Sequence, residues 1–508
     1  MHPRLHAEAR PDHVALIVAA TGQTITYRDL ETRANRGARA LRTLGLEIGD
    51  TIALLCNNRP EWLDVYWAAQ RSGLTLVPAS TRLKTEEIAY IAADSGAKAV
   101  LISDALADTA RVLRYTPGVP ALVGIGAIND LPDWTTLAAA EPDVPIADEQ
   151  NGTRMLYSSG TTGRPKGIRA APALGSPIQA NPGATLFGGM YALGPDTVYM
   201  APAPLYHSAP LGFVVAVQAH GGTVVLLPKF EPEAFLRAIE RWRVTTVQVV
   251  PTMLIRLLKL PDDIRARHNL SSLTNVIHAA APCPIPVKRA MINWLGPVID
   301  EFYAGTEGNG TCRITSAEWL ARPGSVGRPI SGELHICDDS GAELPVGETG
   351  TVWFGGGKPF RYHNDDAKTA QSRHPQHDDW STMGDVGHVD ATGYLFLSDR
   401  KDFMIISGGI NIYPQEVENL LVTHPEVADV AVFGVPNPEF GEEVKAVVQP
   451  VDWACAGDAL ADELVAFCRT SLADVKCPRS IDFDPALPRT DTGKLFKKEV
   501  RARYWPTS

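Results

Sequence analysis

The run "YSSGTTGRPKGI", residues 157 to 168, gathers hydroxyl groups, glycines and a lysine into one short stretch. Ser158, Ser159, Thr161 and Thr162 supply O–H donors, as does the phenol of Tyr157, while Gly160 and Gly163 loosen the backbone and Lys166 adds a positive charge. Exposed amides, hydroxyls and an ammonium can all point positive dipoles at phosphoryl oxygens, so the stretch reads as an anion cradle. It is not a Walker loop, which needs G-x-x-x-x-G-K-[ST]; here Lys166 lies three residues past Gly163 and is followed by Gly167. Further along, "EFYAGTEG" (301 to 308), "WSTMGDVG" (380 to 387), "SDRKDFMIISGG" (398 to 409) and "LPRTDTGK" (487 to 494) place acids, an arginine and a lysine in glycine-containing loops. A hard divalent ion bridging phosphates needs a carboxylate oxygen, and Glu307 offers one.

The elements that must position these loops show in the hydrophobic rhythm. "TYRDLETRANRGARALRTLG" carries apolar residues at helical spacing and ends at a glycine. "DTIALLC", "RPEWLDVYWAAQRSG", "LTLVPAS", "TEEIAYIAADSG" and "AKAVLIS" then alternate strand and helix. The alternation returns at "GGTVVLLP", "EAFLRAIERWRV", "TTVQVVPT" and "TNVIHAAAP", which predicts parallel sheets covered by helices. From about residue 325 short Gly-rich strands take over ("GELHICDDSG", "GTVWFGGG", "GYLFLSD"). Beyond "SDRKDFMIISGG" a compact helix–strand–strand–helix pattern predicts a small α+β domain.

At 508 residues the chain exceeds a single core. A net charge of -11 provides no basic stripe for nucleic acid, and neither a signal-peptide core nor a membrane-length apolar run appears. Seven cysteines without a CxxC pair read as reduced thiols in a cytoplasmic protein. No histidine pair has metal-ligand spacing, and His374 and His377 in "RHPQH" read as solvated surface.

Taken together, the five loops resemble, in order, the signature segments of the adenylate-forming enzymes: acyl-CoA synthetases, aryl-CoA ligases, luciferases and peptide-synthetase adenylation domains. The likeness is strongest to bacterial fatty-acyl-CoA synthetases and runs over nearly the whole chain. It implies an α/β fold in which residues 1–400 form two doubly wound parallel-sheet subdomains plus a strand-rich subdomain. Residues 401–508 would form a small mobile α+β C-terminal domain.

The resemblance also implies roles. The cradle Ser158 to Gly163, with Lys166, holds ATP; Glu301, Phe302, Tyr303 and Thr306 line the nucleotide, with Tyr303 stacked on adenine and Thr306 at the phosphate. Glu307 holds Mg²⁺, Asp385 clamps the ribose, Arg400 bonds ribose or phosphate, and Lys494 reaches the acid and the α-phosphate. Lys494, Glu307, Thr161 and His207 carry the chemistry by positioning and electrostatics. Met383 stands where a threonine is usual.

Two half-reactions follow from the likeness. A carboxylate attacks the α-phosphorus of ATP to give acyl-AMP and pyrophosphate, and the thiol of CoA then displaces AMP. Asp402 is the hinge about which residues 401–508 rotate between them. Gly408 and Gly409 let backbone approach pantetheine, and Lys229 meets a CoA phosphate.

For the acid, Tyr206, His207, Gly212 and Phe213 shape the carboxylate end. Ala279, Ala280 and Ala281, where Gly-Gly-Ala is more usual, form a low wall with Ala304 and Gly305, and Ala280 also touches the nucleotide. With no acidic residue near His207 to meet a substrate ammonium, amino-acid activation is disfavoured. A medium- or long-chain fatty acid or other bulky apolar carboxylate fits, and an arylpropenoic or steroid acid is the alternative. An acyl-AMP ligase feeding a carrier protein and a catalytically silent nucleotide-binding protein are the rival readings. A homodimer stays open.

Overall fold

The structure is a computed structural model; it describes residues 2–158, 165–169, 175–176, 181–357, 360–489 and 495–505. The chain falls into two compact units. One comprises Met1–Gln248, Leu260–Val276 and Phe360–Thr369, the other Val249–Lys259, Ile277–Pro359 and Ala370–Ser508.

The first unit holds two helix-covered sheets. In one, the strand Thr51–Leu55 lies parallel between Thr75–Pro78 and Ala97–Ser103, with Ala121–Ile125 beyond. Thr153–Ser158 pairs parallel with Thr75–Pro78 and turns back, antiparallel, into Lys166–Arg169. Strands buried on both faces read as continuous apolar runs, which is why "DTIALLC" and "AKAVLIS" stood out. The other sheet sets Val198–Ala201, Thr223–Leu226 and Val14–Val18 in parallel. Helices start where the sequence signals them: Thr26 and Asp29 form a capping box at Tyr27–Thr43, which stops before Gly45 at φ 81°.

In the second unit an antiparallel run joins Ile299–Ala304, Thr311–Ile314, Ser325–Ser331, Leu395–Arg400, Asp385–Val389, Gly350–Gly355 and Glu333–Cys337. The C-terminal part adds a second sheet, built on the long pair Val427–Asn437 and Gly441–Pro450 and packed by Pro414–Leu421 and Asp458–Arg469 around Val430, Val432, Val448 and Leu464. Among the described residues no helix is long and apolar enough to cross a membrane.

The expectation of a solvated "RHPQH" holds for His377, which is exposed, and is corrected for His374. His374 is only 3% exposed, its Nε2 lies 2.9 Å from the Gly341 carbonyl, and its Nδ1 accepts from the Gln376 amide. Packing of Trp353 and Trp380 against its ring outweighs the polar character of the flanking residues.

Candidate functional site

In the first unit the cradle residues fall in sequence between two paired strands. Ser158 and Lys166 are register partners at the mouth of the paired strands Thr153–Ser158 and Lys166–Arg169. Ser159, Gly160, Thr161, Thr162 and Gly163 lie outside the described residues. Tyr157 and Lys166, on either side of them, are both tied to carboxylates. The Tyr157 phenol donates to Asp94 Oδ2 at 2.6 Å, so it is turned to the protein and away from the donor set read from the sequence. Lys166 Nζ lies 3.2 Å from Asp365 Oδ2, which keeps the ammonium at the loop's exit.

His207 caps the helix Ser208–Ala219 without a side-chain bond to its amides, and its ring sits 4.7 Å from that of Tyr206. Phe213 is fully buried in an aromatic stack, 4.5 Å from Phe187 and 5.7 Å from Tyr199, so it serves the core of this unit. A Cβ on Gly212 would stand 3.0 Å from Phe187, so the glycine admits that stack. Lys229 is exposed beside the buried Phe230.

In the second unit the residues expected around the nucleotide come together. The strand Ile299–Ala304 ends in a tight turn, closed by the Gly308 amide donating to the Gly305 carbonyl at 3.1 Å. Thr306 and Glu307 are its corners, and Thr306 is exposed. Asp385 and Arg400 are register partners on Asp385–Val389 and Leu395–Arg400. Asp385 Oδ2 accepts from the Tyr303 phenol at 2.6 Å, and Oδ1 accepts from Arg400 Nε at 3.0 Å. Burial, then the Asp385 charge, hold the Tyr303 phenol well above its usual range, so it stays a donor. Asp385, followed by Glu307, holds the Arg400 guanidinium up. A carboxylate has about four lone-pair sites, so Asp385 keeps acceptor capacity for a diol. A turn-corner carboxylate with an exposed threonine beside it also suits a hard cation shared with phosphates. The residues therefore fit both ATP and Mg²⁺.

Behind this edge lies a charged cluster that the sequence reading missed. Glu301 is buried, with Lys288 Nζ at 2.5 Å and His278 Nε2 at 3.4 Å from its Oε2. Lys288 and His278 are fully buried. Burial raises the Glu301 carboxyl against the pull of Lys288, and burial, then Lys288, lowers the His278 imidazole. Glu301 thus meets protein charge where a nucleotide contact was expected, and Phe302 is buried beside it. A signal existed: in Ile285–Leu295 the buried stripe is Val287, Lys288, Met291 and Ile292, and a lysine on a buried stripe calls for a carboxylate partner.

Ala279 is buried, Ala281 half-buried and Ala280 exposed, and Ala280 adopts φ 75°, a left-handed conformation that suits glycine. Ala304 and Gly305 are half-buried at the start of the turn.

In the C-terminal part, Asp402 is half-exposed and lies 3.6 Å from Lys498. Gly408 and Gly409 form the two-residue connection between Ile405–Ser407 and Ile410–Ile412, with φ 56° and 81°. A primed hairpin turn needs positive φ at both positions, which is a structural reason for two glycines besides the close approach read from the sequence. Lys494 lies outside the described residues.

Comparison with known proteins supplies the wider frame. The family described as "AMP-binding enzyme" matches residues 4–361, and "AMP-binding enzyme C-terminal domain" matches 416–494. The chain is 35% identical to a feruloyl-CoA synthase of Amycolatopsis sp over 512 residues, covering 98% of this chain and 97% of that protein. It is 30% identical to the long-chain-fatty-acid–CoA ligase FadD13 of Mycobacterium tuberculosis, covering 99% and 98%. Among solved structures it resembles the anthranilate CoA ligase AuaEII in complex with anthranoyl-AMP, with a TM-score of 0.85, 27% identity and coverage of 99% and 96%.

Proposed function

The chain belongs to the AMP-binding enzyme family, as an AMP-forming acid–CoA ligase, and from that premise we propose that it activates a bulky apolar carboxylate, an arylpropenoic acid first of all, and passes the acyl group to CoA. The observation that carries the nucleotide half is the Tyr303–Asp385–Arg400 cluster beside the Glu307 turn. Asp385 takes the ribose hydroxyls and Arg400 a ribose or phosphate oxygen. The cradle between Ser158 and Lys166 takes phosphate. Glu307 holds Mg²⁺, which when bound offsets phosphate charge. The incoming carboxylate and the triphosphate are both anions, so the protein's task is to collect positive charge and donors around them and to fix an in-line approach. Lys494 adds its ammonium to that set in the first half-reaction. In the second, residues 401–508 rotate about Asp402 and carry the Gly408–Gly409 turn to the thiol.

The aryl preference draws support from the 35% identity to a feruloyl-CoA synthase, set against 30% to a fatty-acid ligase. The fatty-acid reading, favoured by the sequence alone, remains the second candidate because it needs the same apolar wall.

Pyrophosphate release from ATP and Mg²⁺ with ferulic, cinnamic, octanoic, palmitic and steroid acids, with and without CoA, tests the whole reading. Release with cinnamic and ferulic acids at the highest kcat/KM is expected, and fatty acids ranking first would reverse the substrate assignment. Lys494→Ala should abolish adenylation yet spare thioester formation from supplied acyl adenylate; parallel loss of both would refute the two-conformation scheme.

A further inference from the structure

Residue 383 is a methionine where the family resemblance leads one to expect a threonine, and the packing shows where its side chain goes. Met383 Sδ lies 1.8 Å, and its Cε 3.0 Å, from the point that a Cβ on residue 305 would occupy. Glu307 Oε2 is 2.9 Å from the same point. The thioether therefore fills the space vacated by the missing side chain of Gly305, beside the turn that carries Thr306 and Glu307.

Its backbone has little room to withdraw. Ser381 exchanges two 2.9 Å bonds with Phe354, and the Thr382 hydroxyl donates to the Val352 carbonyl at 2.7 Å. The Thr382 amide donates to Ser372 O at 3.0 Å, and the Gly384 amide to Thr382 Oγ1 at 3.0 Å. One residue on, Asp385 is tied to Tyr303 and Arg400.

We propose that Met383 and Gly305 are a matched pair that determines acid specificity, with the thioether as the surface on which a flat aromatic acyl group lies. This rests on the reading of Gly305 as part of the acyl pocket. A divalent sulfur is polarizable and makes favourable contacts with aromatic rings. Gly305 is the complement. A Cβ there would displace the sulfur toward the acyl group or toward Glu307.

Calorimetric titration with non-hydrolysable acyl-sulfamoyl adenosines tests the pair without relying on turnover. Cinnamoyl and octanoyl forms, with AMP as the control, are titrated into the full chain and into Met383→Ala, Gly305→Ala and the double variant. Met383→Ala should weaken the cinnamoyl ligand about tenfold while octanoyl and AMP move by less than about twofold. Gly305→Ala should weaken the cinnamoyl ligand in the parent and much less when Met383 is already alanine. Equal weakening of all three ligands, or additive effects of the two substitutions, would overturn the pairing. A parent chain that binds AMP but neither acyl analogue would overturn the acyl-pocket reading and the pairing with it. Failure to bind even AMP would remove the nucleotide assignment itself.

Discussion

Asp385 and Arg400 face each other across two antiparallel strands, and the third member of their cluster, Tyr303, reaches the same carboxylate from another strand. Both oxygens of Asp385 are thereby oriented before any nucleotide arrives. Asp385→Asn keeps the shape but removes the charge that organises the phenol and the guanidinium. Charge-assisted bonds of this kind contribute about 1.5–3 kcal/mol each, so KM for ATP should rise about tenfold to a hundredfold, with a smaller change in KM for the acid. Pyrophosphate release at varied ATP measures this, and an unchanged KM for ATP would remove Asp385 from the nucleotide site.

Lys288 is fully buried against Glu301, with its ammonium 5.0 Å from the centre of the Trp319 ring. Lys288→Met leaves the Glu301 carboxylate buried without its partner and should cost about 3–5 kcal/mol of stability. Replacing both, Lys288→Met with Glu301→Leu, removes the uncompensated charge and should recover most of the loss. Urea unfolding of the three proteins decides the matter; a single variant that unfolds with the parent would show that the pair carries no such energy.

These two clusters also mark what a sequence can announce locally and what only packing reveals. Asp385, Arg400, Tyr303 and Glu307 sit in local motifs whose residue types announce their chemistry, and the alternation of "DTIALLC", "LTLVPAS" and "AKAVLIS" announces parallel strands. Lys288 with Glu301, Met383 with Gly305 and Tyr157 with Asp94 are contacts between segments 13 to 78 residues apart. Periodicity carries no information about which distant side chain fills a given space, so those partners emerge only from the packing. The paired glycines at 408 and 409 lie in between: their presence was legible, but the hairpin geometry that requires them was not.

Asp64 gives the chain a pH-dependent stability. It is 8% exposed, Arg33 approaches only to 3.4 Å, and Oδ1 has no hydrogen-bond partner among the described residues. Burial, opposed by Arg33, pushes its carboxyl up to about 7. The folded value lies above the unfolded one, so the associated stability is present below about pH 4 and is lost as pH rises toward 7. Asp64→Asn should match the parent at low pH and exceed it by about 2–4 kcal/mol at pH 8. Unfolding curves at pH 5 and pH 8 test the sign, and a gap that narrows with rising pH would refute it.

Gly409 separates hairpin strain from cofactor approach. A Cβ there would meet nothing within 4 Å, so Gly409→Ala costs only the positive-φ penalty, about 1 kcal/mol. If the turn serves CoA, thioester formation from acyl adenylate should fall about tenfold or more while pyrophosphate release in the first half-reaction is nearly unchanged. Equal losses in the two steps would leave the glycine as a turn former alone.

Ala280 holds φ 75° with its methyl exposed, at a position where glycine would be free of strain. An L-residue in this region costs about 1–2 kcal/mol, and part of that cost returns when glycine's extra unfolded-state freedom is subtracted. Ala280→Gly should therefore raise stability by up to about 1 kcal/mol in urea unfolding. Under the acyl-pocket reading proposed above, the strained methyl belongs to the wall that meets the acid. The stabilised variant should accordingly discriminate less between cinnamic and octanoic acids, by about threefold or more in the ratio of their kcat/KM values. A variant that gains stability and keeps the parent's ratio would make the strained alanine a neutral feature of the turn, and one that loses stability would mean that the left-handed backbone is held by contacts of the methyl itself.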